Sequence, residues 1–118
     1  MSVVEIERDD GVMVIRMNRP ERLNAMGLEL RESLAQAWIE FRDSQDLEVA
    51  IFTGTGRAFC AGEDMKESLA RGAPGSRSRP TRIEDIYRAG KLDKPVIAAI
   101  NGFALGGGFK LVELADFR

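Results

Sequence analysis

Apolar and polar residues alternate across residues 3–8 and again across 12–17, the two-residue period of strands with one covered face. Asp9-Asp10-Gly11 stands between them. Asp-Gly supplies the positive φ angles that a tight hairpin needs, so the pattern predicts a β-hairpin. Asn18-Arg19-Pro20-Glu21-Arg22 breaks the alternation and predicts a loop. Over residues 28–44 the period changes. Leu30, Leu34, Ala37, Trp38 and Phe41 recur three and four residues apart, which predicts a helix with those side chains in the core. Glu29, Arg31, Glu32, Gln36, Glu40 and Arg42 fall off that stripe and read as its solvated face. Residues 47–53, Leu-Glu-Val-Ala-Ile-Phe-Thr, form a second apolar strand that ends in Gly54-Thr55-Gly56. Strand, helix and strand in this order predict an α/β layout with parallel strands.

The second half is more broken. Small residues dominate Arg57-Ala58-Phe59-Cys60-Ala61-Gly62, and two carboxylates follow, Glu63 and Asp64. Asp64 is placed to cap a helix over residues 65–69. Cys60, among small and apolar neighbours with no base in sight, reads as a buried inert thiol. Residues 71–82 are rich in Gly, Pro, Ser and Arg and predict a mobile loop; its arginines are either solvated or available to a phosphate. A helix is predicted over 83–92, with Ile83, Ile86, Tyr87 and Gly90 on one side and Lys94-Pro95 as its stop. The apolar run Val96-Ile97-Ala98-Ala99-Ile100, between Pro95 and Gly102, predicts a buried strand. Gly106-Gly107-Gly108 and a helix over 109–115 come next. A helix that begins there aims unpaired N–H groups and the positive end of its dipole into the turn. That turn holds negative charge without a charged side chain, or it is a tight connection with no ligand.

Composition narrows the chemistry. A chain of 118 residues allows one domain. A net charge of -2 points to neither nucleic acid nor an anionic membrane as partner. No apolar run approaches the ~20 residues of a membrane-spanning helix, and the first residues lack the pattern of a signal peptide. The single cysteine excludes an internal disulfide and fits a reducing cytoplasm. There is no histidine, so a Ser-His-Asp triad, a Cys-His pair and a His-ligated metal are excluded within the chain, and no metal is expected. Catalysis is left to carboxylates, Lys, Tyr87, Cys60 or backbone amides. The glycine turns match neither standard nucleotide motif. G-x-G-x-x-G fails at Phe59 after Gly54 and at Ala104 after Gly102, and the P-loop pattern fails where Gly108 replaces its Lys.

Three stretches together do match a known pattern. Arg19-Pro20 with Asn24-Ala25-Met26, then Phe59-Cys60-Ala61-Gly62-Glu63-Asp64-Met65-Lys66, then the run from Lys94-Pro95 through Gly106-Gly107-Gly108, resemble the crotonase (enoyl-CoA hydratase/isomerase) family in order and spacing. The resemblance runs from about Val3 to Arg118 and rests on Ala-Gly-x-Asp combined with the triple glycine. It implies a crotonase-like ββα spiral, incomplete here, so that residues 1–118 form the N-terminal part of a single domain. It also implies an acyl-CoA thioester as substrate, with coenzyme A as part of that substrate and no separate cofactor. Two backbone N–H groups, those of Glu63 and Gly107, would hold the thioester oxygen as it becomes an enolate. The CoA moiety would lie near Ala61, Asp64, Met65 and Lys66, with Arg22 nearby.

Two departures from the family pattern stand out. The usual catalytic Glu is replaced by Lys110, which cannot act as that carboxylate and opposes the helix dipole. Glu113, three residues on, is a stand-in or a solvated side chain. Relatives of this family run to about twice this length, and Asp116-Phe117-Arg118 reads as entry into another strand. The resemblance implies trimers or hexamers for the full-length form. Three functions follow: a hydratase or isomerase; a crotonase-fold decarboxylase or thioester hydrolase; or a non-catalytic CoA-binding or structural fragment.

Overall fold

The computed structural model describes residues 2–70, 72 and 82–118. β1 (Val4–Asp9) and β2 (Val12–Met17) make the expected antiparallel hairpin, with Ile6 opposite Ile15. Asp10 and Gly11 take φ of 48° and 83°, the left-handed pair that an Asp-Gly turn supplies. A 3-10 turn at Pro20–Arg22 precedes α1 (Leu28–Asp43). The helix returns the chain so that β3 (Val49–Gly54) pairs parallel with β2. A short strand β4 (Ala58–Cys60) and a helix α2 (Met65–Ala70) follow. β5 (Val96–Ala98) adds parallel to β3 and completes a sheet of order β1-β2-β3-β5. β6 (Phe103–Ala104) pairs parallel with β4 in a second, two-stranded sheet, and α3 (Gly107–Leu114) closes the chain.

Alternation decides the faces. Met13, Ile15, Met17, Ala50, Phe52, Val96 and Ala98 are buried on one side of the sheet, in one cluster with Leu30, Leu34, Trp38 and Phe41 of α1. Trp38 meets Phe52 edge-on at 5.1 Å and stacks on Tyr87 at 4.5 Å. Aromatic pairs of this kind add about 0.5–1.5 kcal/mol beyond the area they bury. The C-terminus of α1 is closed by Lys94, whose Nζ donates to the carbonyls of Phe41 and Ser44 at 2.8 Å each. A cation there also meets the negative end of the helix dipole.

Several expectations change. β1 buries only Val4, because it is an edge strand. The helix expected over 83–92 does not form; residues 86–90 make turns. One helical bond survives, Ala89 N–H to Asp85 O, before Gly90 turns to φ 69° and Lys91 N–H reaches back to Ile86 O. Burial of the adjacent Ile86 and Tyr87 in the core sets this segment, at the expense of helical period. Of the apolar run at 96–100 only Val96–Ala98 forms strand, β5, and its Ile97 and Ile100 are exposed. The loop expected over 71–82 lies outside the described residues except for Gly72 and Arg82. The strand expected at 116–118 is present as a parallel bridge between Phe117 and Ile97, with Ala98 N–H donating to Phe117 O at 2.8 Å. Among the described residues no helix is long and apolar enough to cross a membrane.

Candidate functional site

The site is built around β4. Three glycines pack against its backbone, and each leaves no room for a side chain. A Cβ on Gly54 would sit 2.6 Å from Phe59 O; one on Gly102 would strike Arg57 O, and one on Gly108 would strike Cys60 O. Two asparagines hold the same segment by its carbonyls. Asn24, fully buried, donates from Nδ2 to the carbonyls of Thr55, Ala58 and Phe59 and accepts from Arg19 N–H at 2.8 Å. Asn101 donates to Gly56 O and Ala58 O and accepts from Gly54 N–H. Sequence periodicity gave no sign of either role, since neither residue lies in a helix or strand.

Two glycine turns meet at the end of β4. Gly62 (φ 97°) and Gly106 (φ 53°) both take backbone conformations that favour glycine. A Cβ on Gly62 would lie 2.8 Å from Leu105 O and 3.5 Å from the nitrogen of Gly107. Leu105 N–H donates to Cys60 O at 3.0 Å, which ties the second turn to the first. Glu63 follows one turn and Gly107 follows the other, at the first position of α3. The Gly107 N–H has no acceptor within the helix itself. The structure thus sets the turn that precedes Glu63 against the Gly107 nitrogen.

Asp64 performs the capping role. Its Oδ1 accepts from Glu67 N–H at 3.1 Å at the start of α2. Arg19 Nη2 lies 2.7 Å from Oδ2 and Arg22 Nη2 lies 3.0 Å from Oδ1. Burial works against the Asp64 charge, but the Glu67 N–H and the two guanidiniums outweigh it and hold the carboxyl below its ordinary pKa. Arg22 is therefore engaged by Asp64, and the exposed side chains here are Met65 and Lys66. Glu67 in turn caps α1, accepting from Leu28 N–H at 3.0 Å. A side chain at Gly27 would push the Glu67 carboxylate from this position, since its Cβ would strike Glu67 Oε2.

Arg31 differs from the solvated position expected of it. It is half-buried and lines a small cleft with Met26, Glu63 and Ser68. Burial lowers its pKa, and the like charge of Arg88 lowers it further. Arg88 Nη2 lies 3.8 Å from the point where a side chain on Gly107 would begin. Lys110 and Glu113 both lie exposed on α3. Tyr87 is spent on structure: it is buried, and its hydroxyl donates to Leu111 O. Cys60 is buried, donates from Sγ to Asn24 O, and has its pKa pushed up by burial. No group of three His, Cys, Asp or Glu suited to a metal ion occurs among the described residues.

Residues 7–118 match the enoyl-CoA hydratase/isomerase family. The chain belongs to that family. Among enoyl-CoA hydratase/isomerase relatives, it is 34% identical over 118 residues to an enoyl-CoA hydratase of Mycobacterium tuberculosis, covering 96% of this chain and 44% of that protein. A carnitinyl-CoA dehydratase of Salmonella paratyphi B is 38% identical over 115 residues, covering 97% and 44%. The crystal structure of an enoyl-CoA hydratase from Mycobacterium marinum superposes with a TM-score of 0.84 at 31% identity, covering 97% of this chain and 55% of that one. The fold is thus crotonase-like and incomplete. The chain spans less than half the length of the curated relatives it matches.

Proposed function

We propose that the chain binds an acyl-CoA thioester and serves an enoyl-CoA hydratase/isomerase-type reaction, stabilising the thioester enolate with the backbone N–H groups of Glu63 and Gly107. The observation that carries this reading is the contact between the Gly62 turn and the Leu105–Gly107 turn. It supports this reading because the turn before Glu63 abuts the Gly107 nitrogen, at the start of α3, where developing negative charge is favoured. One such donor typically lowers a barrier by about 2.7–4 kcal/mol. Ala61, Asp64, Met65 and Lys66 are assigned to the CoA moiety. Asp64 acts there by fixing the start of α2, and the exposed Lys66 offers its ammonium to phosphate.

Lys110 favours a second reading, a crotonase-fold decarboxylase or thioester hydrolase. An ammonium cannot remove a proton, and within this chain Glu113 is the carboxylate on the same helix. In a non-catalytic fragment, thioester binding would occur without turnover. The longer relatives leave room for further residues, and for assembly as trimers or hexamers, in a full-length form.

Calorimetric titration with a short enoyl-CoA tests the proposal, using the parent, Gly107→Ala and Gly107→Pro. Alanine keeps the N–H, and its methyl meets only Arg88 at an ordinary distance. Proline is tolerated at a first helical position but removes the N–H. The proposal expects binding by the parent and the alanine variant, and weakened binding by the proline variant. Equal binding by all three, with Trp38 fluorescence reporting folded protein, would overturn it.

A further inference from the structure

We propose that Arg88, supported by Arg31, forms an anion subsite beside Gly107, and that the acyl group carried by the thioester bears a carboxylate. The proposal rests on the acyl-CoA reading above and names the substrate class of that same site.

The geometry of Arg88 is unusual. Its Nε and Nη2 are buried, and among the described residues neither has a hydrogen-bond acceptor. Asp85 Oδ2 lies 3.5 Å from Nε, near enough for an ion pair but without a hydrogen bond. Nη2 lies beside the start of α3, 3.8 Å from the Cβ position of Gly107. Buried donors without acceptors are costly, and folded proteins rarely keep them. An acceptor brought by a ligand would satisfy them.

Arg31 strengthens the case from the other side. It is half-buried and lines a cleft with Met26, Glu63 and Ser68, and the like charge of Arg88 reaches it there. Glu63 opposes part of the Arg31 charge and Asp85 part of that of Arg88. Arg88 thus flanks the start of α3, and Arg31 lines the cleft beside Glu63, whose preceding turn abuts the Gly107 nitrogen. A guanidinium presents paired donors that match the two oxygens of a carboxylate. A cationic acyl group would be repelled there.

Glutaryl-CoA and pentanoyl-CoA separate the alternatives, because they match in length and differ by the terminal carboxylate. Both carry the same CoA phosphates. Calorimetry on the parent should show glutaryl-CoA binding at least about tenfold more tightly. Arg88→Met should bring that ratio close to one, and Arg88→Lys, which keeps the charge, should recover part of it. Arg31→Met should lower the ratio independently, so the test survives if Arg88→Met fails to fold. Equal binding of both thioesters to the parent would overturn the carboxylate subsite and leave the acyl-CoA reading standing. Equal weakening of both by Arg88→Met would assign the anion to a CoA phosphate and also overturn the proposal. If neither thioester binds, the acyl-CoA reading fails and this inference fails with it.

Discussion

Asn24→Ala is the sharpest test of how the site is held. The Asn24 side chain is fully buried; its two Nδ2 protons are shared among three carbonyls of residues 55–59, and its oxygen accepts from Arg19 N–H. Its loss leaves the Arg19 N–H without that acceptor. Ala58 O keeps the Asn101 amide at 3.0 Å, while Thr55 O and Phe59 O each lose a donor. A buried group left unsatisfied costs about 1–3 kcal/mol, less for a carbonyl with a second lone pair in use. Asn24 also sits at φ 56°, where alanine adds about 1–2 kcal/mol that asparagine tolerates better. Together these give a loss of about 3–5 kcal/mol, a large share of the ~5–15 kcal/mol that keeps a domain folded. Urea unfolding followed by the fluorescence of Trp38, the single tryptophan, measures it directly. Asn24→Asp provides the control. Aspartate keeps the backbone tolerance but turns a carboxylate toward three carbonyls, so it should be at least as damaging at neutral pH. A loss below about 1 kcal/mol for Asn24→Ala would refute the view that this side chain holds β4.

Two further outcomes follow from the electrostatics. Because the Asp64 pKa is lower in the fold than its ordinary 3.8, its contribution is fully present above that value and is lost as pH falls through the folded pKa. The stability gap between parent and Asp64→Asn should therefore be widest near neutral pH and close under acid, as read by unfolding midpoints; a gap that widens in acid would contradict the assignment. Cys60 should resist a thiol reagent at pH 8 in the native protein and react as one thiol on unfolding. Rapid native labelling would place it nearer solvent than its burial and raised pKa imply.

The elements legible in the sequence were those with a local cause. The hairpin follows from Asp10-Gly11 and two alternating runs, and α1 follows from a stripe that the structure buries residue for residue. The Asp64 cap was legible for the same reason, since a capping carboxylate acts only a turn away. What escaped was set by distant partners. Tyr87 stacks on Trp38 and bonds to Leu111 O, and those contacts, not the spacing of Ile83 and Ile86, decide the path of residues 86–90. Arg31 fell on the polar side of its helix, yet it is half-buried in a cleft shared with Met26, Glu63 and Ser68. Glu67 caps a helix 39 positions away in sequence, which no window along the chain displays. Of the candidate site, the paired glycine turns were readable by resemblance, while the asparagine supports and Arg88 carried no local signature.

The Asn101 amide bears on how this protein ages. Asn101 precedes Gly102, and an Asn-Gly step is the most open to deamidation, because nothing hinders the glycine nitrogen from attacking the side-chain carbonyl. The glycine cannot be exchanged for a safer residue, since any side chain there would strike Arg57 O. The fold supplies the protection instead. With its amide nitrogen held by Gly56 O and Ala58 O and its oxygen held by Gly54 N–H, the side chain is fixed away from cyclisation. Each unfolding event releases it. Conversion to aspartate would then place a carboxylate against two carbonyls, so chemical damage suffered while unfolded would hinder the return of the same loop to its native form.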